Sequence, residues 1–297
     1  MANDNIFSGL KVVVAVFPRL MASAFSGYYL ALILILWCLI LRGVSIEVGG
    51  HINDRLWQAF WEFVFVFANF LLAILFGAAA GNVARGVPLD AQGNFSMSFF
   101  TNFGVHGNVG LLDWYTVSVA VFAVSLLAAH GATYLALKTE GPVHDRSAAY
   151  AKYLWLAVVP LLAVISVESF FVRPDVPARA AHNPICWLAL LVTSISTAVL
   201  ISGFSARREM RAFLASNFLI VGLLATGGAA IFPVMLHSTL APENSLSAYT
   251  IAANHTALVV ASIWWPIAFA LAIAYFIFIS RRYVGKVSVK RDNQGFY

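Results

Sequence analysis

Apolar residues in this chain are gathered into long continuous runs separated by short polar pieces, rather than alternating with polar ones. A helix needs about 20 apolar residues to cross the hydrocarbon layer of a bilayer. The runs predict spans at about 22 to 41, 56 to 83, 112 to 137, 152 to 172, 184 to 204, 212 to 236 and 255 to 280. In lipid every backbone N–H and C=O must find a partner within the protein, so continuous runs mean helices. A membrane barrel would instead show segments of about ten residues alternating in polarity. The predicted fold is therefore all-α: a polytopic integral membrane bundle, one transmembrane domain over 1–297, with about seven transmembrane helices plus a short amino-terminal helix remnant. That remnant is the apolar piece Leu10 to Phe17, too short to span and followed directly by Pro18 and Arg19, and it reads as the end of a helix. No signal peptide is expected, because Met1 to Asn5 carries only Asp4 and lacks the basic start of such a leader.

Composition agrees with a lipid-facing protein. Hydrophobic residues make up 61% of the chain and charged ones 10%, against about 25% charged in soluble domains. Mean hydropathy is +0.84. The distribution of the 18 Lys and Arg residues decides what the basic balance means. Thirteen fall in the loops after the first, third and fifth spans and in the carboxyl-terminal tail; only Lys11, Arg19, Arg85, Arg173 and Arg179 fall on the other side. The positive-inside rule then predicts a cytoplasmic carboxyl terminus and an outer amino terminus. Basic charge is thus a topology signal, and no basic stripe with interleaved aromatics points to nucleic acid. Cys38 and Cys186 read as small buried hydrophobes, since no CxxC spacing pairs them. Phosphate-cradling glycine motifs, CxxCH and HExxH are absent.

Polar residues in or beside the spans are the candidates for function. Asn82 and Arg85 are three apart, so on a continued helix they share a face. Gly86 and Pro88 then end that helix, leaving Arg85 either to reach lipid phosphate or to fix the long outer loop through Asp90 or Asp113. His130 lies deep in the third span, beside Gly131 and Ala132, which favour close helix packing. It reads as an interhelical hydrogen-bond partner, an axial haem ligand or a proton relay. Glu62 shares a face with Asn69 and sits near Trp57 and Trp61, which suits an interface residue or a proton entry. Glu168 poses the same choice near the outer end of the fourth span, with Arg173 close enough to pair. Trp114 and Tyr115, like Trp264 and Trp265, read as anchors, with a quinone pocket as the sharper alternative. The outer loops 84 to 111 and 237 to 254 are long for a compact bundle and are expected to be functional or to pack against a partner.

The block from Ala79 to Gly141, with its GN-x-x-RG-x-P at 81–88, LLDWYTV at 111–117 and HGATYLALKTEG at 130–141, resembles the second subunit of the cytochrome bd quinol oxidases. The resemblance extends over SGYYLALILILWCLILRG at 26–43, LLATGGAAIFPVMLHSTL at 223–240, NSLSAYTIAANH at 244–255 and RRYVGKV at 281–287. It implies a heterodimer in a bacterial inner membrane that oxidises quinol and reduces dioxygen to water, taking protons from the cytoplasm without pumping. It also implies that two b-type haems and one d-type haem sit on the larger subunit, which this chain braces. No catalytic, cofactor-binding or metal-binding residue is expected here. Asn82, Arg85, Asp113, Trp114, Tyr115 and His130 are expected to be structural or partner contacts, and Glu62 and Glu168 are the proton-relay candidates.

The pattern departs from the family at the start. A span with a GFDLG-like turn and a second opening on an EGNQVW-like stretch do not precede Phe17, so the proton-delivery role of their acidic residues does not transfer. The chain reads as amino-terminally short, whether through a late start, truncation or a shorter lineage. Two other functions compete. A small-solute transporter would need repeat-related halves with matching helix breaks, whereas only Pro160 and Pro233 interrupt spans. An inactive remnant unable to dock its partner is the third reading.

Overall fold

The protein is described from a computed structural model covering residues 16–282 and 285–287. Among the described residues, seven helices are long and apolar enough to cross a membrane. In chain order they are α2 (Tyr29–Gly49), α3 (Arg55–Arg85), α4 (Trp114–Lys138), α5 (Pro142–Val172), α7 (Pro184–Ser205), α8 (Glu209–Ile231) and α10 (His255–Arg282). Shorter helices are α1 (Pro18–Gly27), α6 (Asp175–His182) and α9 (Ala248–Ile251). Strands β1 (Val234–Leu236) and β2 (Leu246–Ser247) form an antiparallel pair. Most of the expected remnant before Phe17 lies outside the described residues; from Pro18 onward the chain begins a helix rather than ending one, with Pro18 in the first turn, where its missing N–H costs nothing.

Several helices overrun the apolar runs that predicted them, because a helix continues until a cap or breaker stops it, whereas an apolar run ends at the first charge. The first span extends to Gly49 rather than 41, through Arg42, and stops at the pair Gly49 and Gly50. The fourth helix begins at Pro142, ten residues before the predicted 152, after Gly141 at φ +70° and with Asp145 in its first turn. The sixth span ends at Ile231, short of the predicted 236, because Pro233 cannot continue a helix and the chain turns into β1. Pro233 therefore ends a helix instead of interrupting one, while Pro160 and also Pro266 lie inside helices.

The turn joining α2 to α3 is built by local bonds. Asp54 caps α3, its carboxylate accepting from the Trp57 N–H at 2.8 Å, while the Trp57 indole N–H donates to the Val48 carbonyl at 3.1 Å. Asp54→Ala is expected to cost about 1 kcal/mol, read as a lower midpoint in thermal unfolding of the detergent-solubilised protein; an unchanged midpoint would show that the cap contributes nothing.

Contacts divide the chain into two units. The first holds the residues up to Val124, Ala163–Pro177 and Ile231–Trp265; the second holds Ser125–Leu162, Ala178–Ala230 and the residues from Pro266 on. In the first unit the two long loops, 86–113 and 232–254, pack on each other. Val87, Leu89, Phe95, Met97, Val109 and Leu111 from one loop are buried with Leu236, Leu246 and Ile251 from the other. Backbone bonds stitch them, Val87 N–H to the His237 carbonyl and Thr239 N–H to the Val87 carbonyl, both at 2.9 Å. Ser238 adds its hydroxyl to the Leu89 carbonyl at 2.9 Å. In the second unit α7 and α8 approach closely at Gly203 and Gly222, where a Cβ would stand 2.9 Å from the Ala212 nitrogen and 3.1 Å from the Thr193 nitrogen.

Candidate functional site: a buried ionic lock under the long loops

The most buried charges of the first unit sit where α3 ends and α4 begins. Arg85 and Asn82 are each 1% exposed, and Asp113 and Thr116 are fully buried. Arg85 forms an ion pair with Asp113 through Nη1 and Oδ2. Its Nη2 donates to Asn82 Oδ1 at 2.6 Å and to the Gly110 carbonyl at 3.2 Å, and its Nε donates to the Gly86 carbonyl at 3.1 Å. Asn82 in turn donates to the Ala78 carbonyl at 2.8 Å and the Leu111 carbonyl at 2.9 Å. Two residues at the end of α3, Asn82 and Arg85, thus grip both the last residues of the loop that follows and the residue that caps α4. An unpaired charge at this depth would be prohibitive, and here the guanidinium faces the Asp113 carboxylate, Asn82 Oδ1 and two backbone carbonyls. The alternative in which Arg85 reaches lipid phosphate is overturned by its burial, and of its two possible acids Asp113 is the partner. Asp90 instead closes its own turn, accepting from the Gln92 and Asn94 N–H groups at 2.9 and 2.8 Å.

Local sequence explains why the lock forms there. Gly86, at φ +110°, ends α3 in a conformation that L side chains rarely adopt, and a Cβ on it would stand 2.8 Å from the His237 carbonyl oxygen. Asp113 caps α4, its Oδ1 accepting from the N–H groups of Tyr115 at 2.8 Å and Thr116 at 3.1 Å, while the Thr116 hydroxyl accepts from the Asp113 N–H at 2.8 Å. The cation stands at a helix carboxyl end and the carboxylate at a helix amino end, so both helix dipoles add to the pair. Close approach of α3 and α4 is set by Gly77 and Gly81. A Cβ on Gly77 would be 2.7 Å from the Ala120 Cα, and one on Gly81 would be 3.0 Å from the Thr116 Cα. This small-xxx-small spacing is a membrane helix-packing pattern, legible in the sequence as GAAAG at 77–81.

A second cation ties the same helix end. Arg173 is 4% exposed and holds Asp175 through two bonds of 2.9 and 2.8 Å, while its Nη1 donates to the Ala84 carbonyl at 3.2 Å. Arg173 is close enough to Glu168 in sequence to pair with it, but α5 ends at Val172 and the turn into α6 brings Asp175 under the guanidinium instead. Glu168 accepts from the Ser118 hydroxyl at 3.0 Å. Tyr115 is buried with its hydroxyl 3.0 Å from Ser169, whereas its neighbour Trp114 lies at the surface, 36% exposed. Trp264 and Trp265 are exposed on α10.

The remaining candidates lie apart from the lock. Glu62 is exposed on α3 beside a cavity of about 550 Å³ lined by Ser45, Gln58 and Trp61. Asn69 bonds back to the Phe65 carbonyl at 2.7 Å. Among the described residues no hydrogen bond links Glu62 with Glu168. In the second unit His130 places Nδ1 2.8 Å from the Ser216 hydroxyl, its ring stacked on Phe213 at 5.4 Å between centroids. Gly131, expected to be a packing contact, has nothing within 4 Å of a Cβ, so closeness here comes from His130 itself. Cys38 and Cys186 are buried free thiols. Among the described residues no three His, Cys, Asp or Glu side chains gather as a metal site.

Comparison with known proteins adds what geometry alone does not. A family model described as cytochrome bd terminal oxidase subunit II matches residues 7–282. A probable cytochrome oxidase subunit 2 of Haemophilus influenzae is 26% identical over 93% of this chain and 78% of its own length. Cytochrome bd-I ubiquinol oxidase subunit 2 of Escherichia coli K12 is 27% identical over 78% of this chain and 67% of its own length. Cytochrome bd ubiquinol oxidase subunit 2 of Bacillus subtilis is 25% identical, over 63% of this chain and 52% of that protein. With the match running through the α3 end, the lock and the capped start of α4, this chain belongs to the cytochrome bd terminal oxidase subunit II family and is a multi-pass membrane subunit of such an oxidase.

Proposed function

We propose that this chain is the haem-free subunit that braces a haem-bearing partner in a complex oxidising quinol and reducing dioxygen to water. The observation that carries this reading is the saturation of its most buried charges. Arg85, Asp113 and Asn82 bond to one another and to helix ends, which fastens the long loops and engages these three side chains in structure. Such a lock makes a rigid support. The b-type and d-type haems are assigned to the partner subunit. A haem needs an apolar slot beside its axial imidazole, and His130 instead sits with its ring against Phe213 and Nδ1 on Ser216, so its surroundings do not fit one. None of the apolar window of α10 is buried within the chain, which supports coverage by a partner or lipid. The clustering of Lys and Arg supports a carboxyl terminus in the cytoplasm of a bacterial cell.

His130→Ala is expected to lower stability by about 1–2 kcal/mol through loss of the Ser216 bond and to leave the haem spectrum of the complex unchanged; loss of a haem band in an assembled complex would identify a ligand. Glu62→Gln and Glu168→Gln are expected to leave oxygen consumption per assembled complex unaltered, since among the described residues no hydrogen bond links the two. A clear fall for either would establish the relay role and revise this assignment. The reading as a whole is tested by affinity purification of the tagged chain from native membranes. Co-purification of a larger subunit carrying the red-end d-type absorption is expected. A stable, colourless protein that moves solute into liposomes would replace the brace with a transporter.

A further inference from the structure

We propose that an apolar groove in the second unit binds one anionic phospholipid, with the phosphate held by Arg208 and Arg211. The groove has a volume of about 850 Å³, lined by Leu137 of α4, Val192 and Val199 of α7, and Leu214 and Phe218 of α8. Arg208 and Arg211 line it too, at the turn where α7 gives way to α8. Both arginines are exposed, and among the described residues neither has an acidic partner. The acid beside them, Glu209, is already engaged: Oε1 lies 2.6 Å from His144 Nε2, and Oε2 accepts from Lys286 Nζ at 2.7 Å. Its charge is offset within the chain, so the groove mouth is left with two unspent guanidinium forks, the geometry that holds phosphate through paired bonds.

The occupant follows from both ends of the groove. Val192 lies thirteen residues before the end of α7 at Ser205, about 20 Å of helix, so the apolar walls run for the length of an acyl chain. A soluble phosphate compound would leave those walls uncovered, and a neutral quinol headgroup would leave two cations without an anion. A phospholipid with a net negative headgroup satisfies both. The proposal does not depend on the oxidase reading, because it rests on the groove and its charges alone.

The test uses the full-length protein, purified and delipidated, and measures binding by native mass spectrometry. The probes are phosphatidylglycerol, phosphatidylcholine with the same acyl chains, inorganic phosphate and a short-chain ubiquinol. Phosphatidylglycerol is expected to bind about thirtyfold more tightly than phosphatidylcholine, the scale of two basic residues facing an anionic lipid. Arg208→Gln with Arg211→Gln is expected to abolish that preference, and Arg208→Lys with Arg211→Lys to keep part of it. Val199→Trp, which fills the groove without touching its charge, is expected to weaken both lipids. Equal binding of the two lipids, an undiminished preference in the Gln variant, or unaltered binding in Val199→Trp would overturn the site. So would displacement of phosphatidylglycerol by equimolar phosphate or by ubiquinol. Should the Gln variant fail to fold, the Val199→Trp result decides alone.

Discussion

Arg85→Met is expected to destabilise the protein by about 3–5 kcal/mol, the cost of stranding one member of a buried ion pair. Arg85 and Asp113 are almost wholly inaccessible, so water cannot replace the lost guanidinium. Three other acceptors lose their donor at the same time: Asn82 Oδ1 and the carbonyls of Gly86 and Gly110. Against a total stability of about 5–15 kcal/mol, a loss of that size removes much of the protein from the membrane. The companion variant separates charge from capping. Asp113→Asn keeps an oxygen that can cap α4 at Tyr115 and Thr116 while removing the stranded charge, so Arg85→Met with Asp113→Asn should recover part of the loss. Unfolding titrations of the wild type, both singles and the double form the cycle that measures this. Additive losses would show that the pair is not coupled.

Gly81→Leu should be nearly as damaging, and for a different reason. The Cβ alone would stand 3.0 Å from the Thr116 Cα and 3.2 Å from its Cγ2, so a larger side chain must drive α3 and α4 apart. At Gly77 the obstruction is backbone, with Ala120 Cα 2.7 Å away. Overpacking of a tight interior costs about 1–3 kcal/mol and sometimes more. Thr116 contacts Gly81 on one side and Asp113 on the other, so Gly81→Ala and Arg85→Met are expected to be non-additive. Gly131→Ala is the matched control: nothing lies within 4 Å of its Cβ, and it should be neutral or up to about 1 kcal/mol stabilising from helix propensity. Equal effects at Gly81 and Gly131 in the same thermal unfolding assay would refute the close-packing account.

The distance between sequence and structure follows from the range of the forces involved. Spans were legible because bilayer thickness imposes a length on any helix that crosses it, and all seven runs contain a helix. Helix ends were less so. Residues 142–151 are broken up by His144, Asp145, Arg146 and Ser147 and form no continuous apolar run, yet Gly141 and Pro142 start a helix there. Asn82 and Arg85 were readable as partners because their spacing is local, while the choice between Asp90 and Asp113 depended on how residues 86–113 fold back, which no local pattern records. The same limit applies to Arg173, where nearness in sequence suggested Glu168 and the turn after Val172 supplied Asp175. The cap made by the two long loops, Val87 against His237 and Ser238 against Leu89, joins residues about 150 positions apart and has no local sequence signature.

Oxygen consumption per assembled complex in the Arg85→Met variant tests the central claim most directly, with assembly counted by haem absorption in the same sample. A bracing subunit predicts fewer complexes, each turning over at the wild-type rate with an unaltered haem spectrum. Full assembly with collapsed turnover would contradict it and make the buried lock part of the reaction itself.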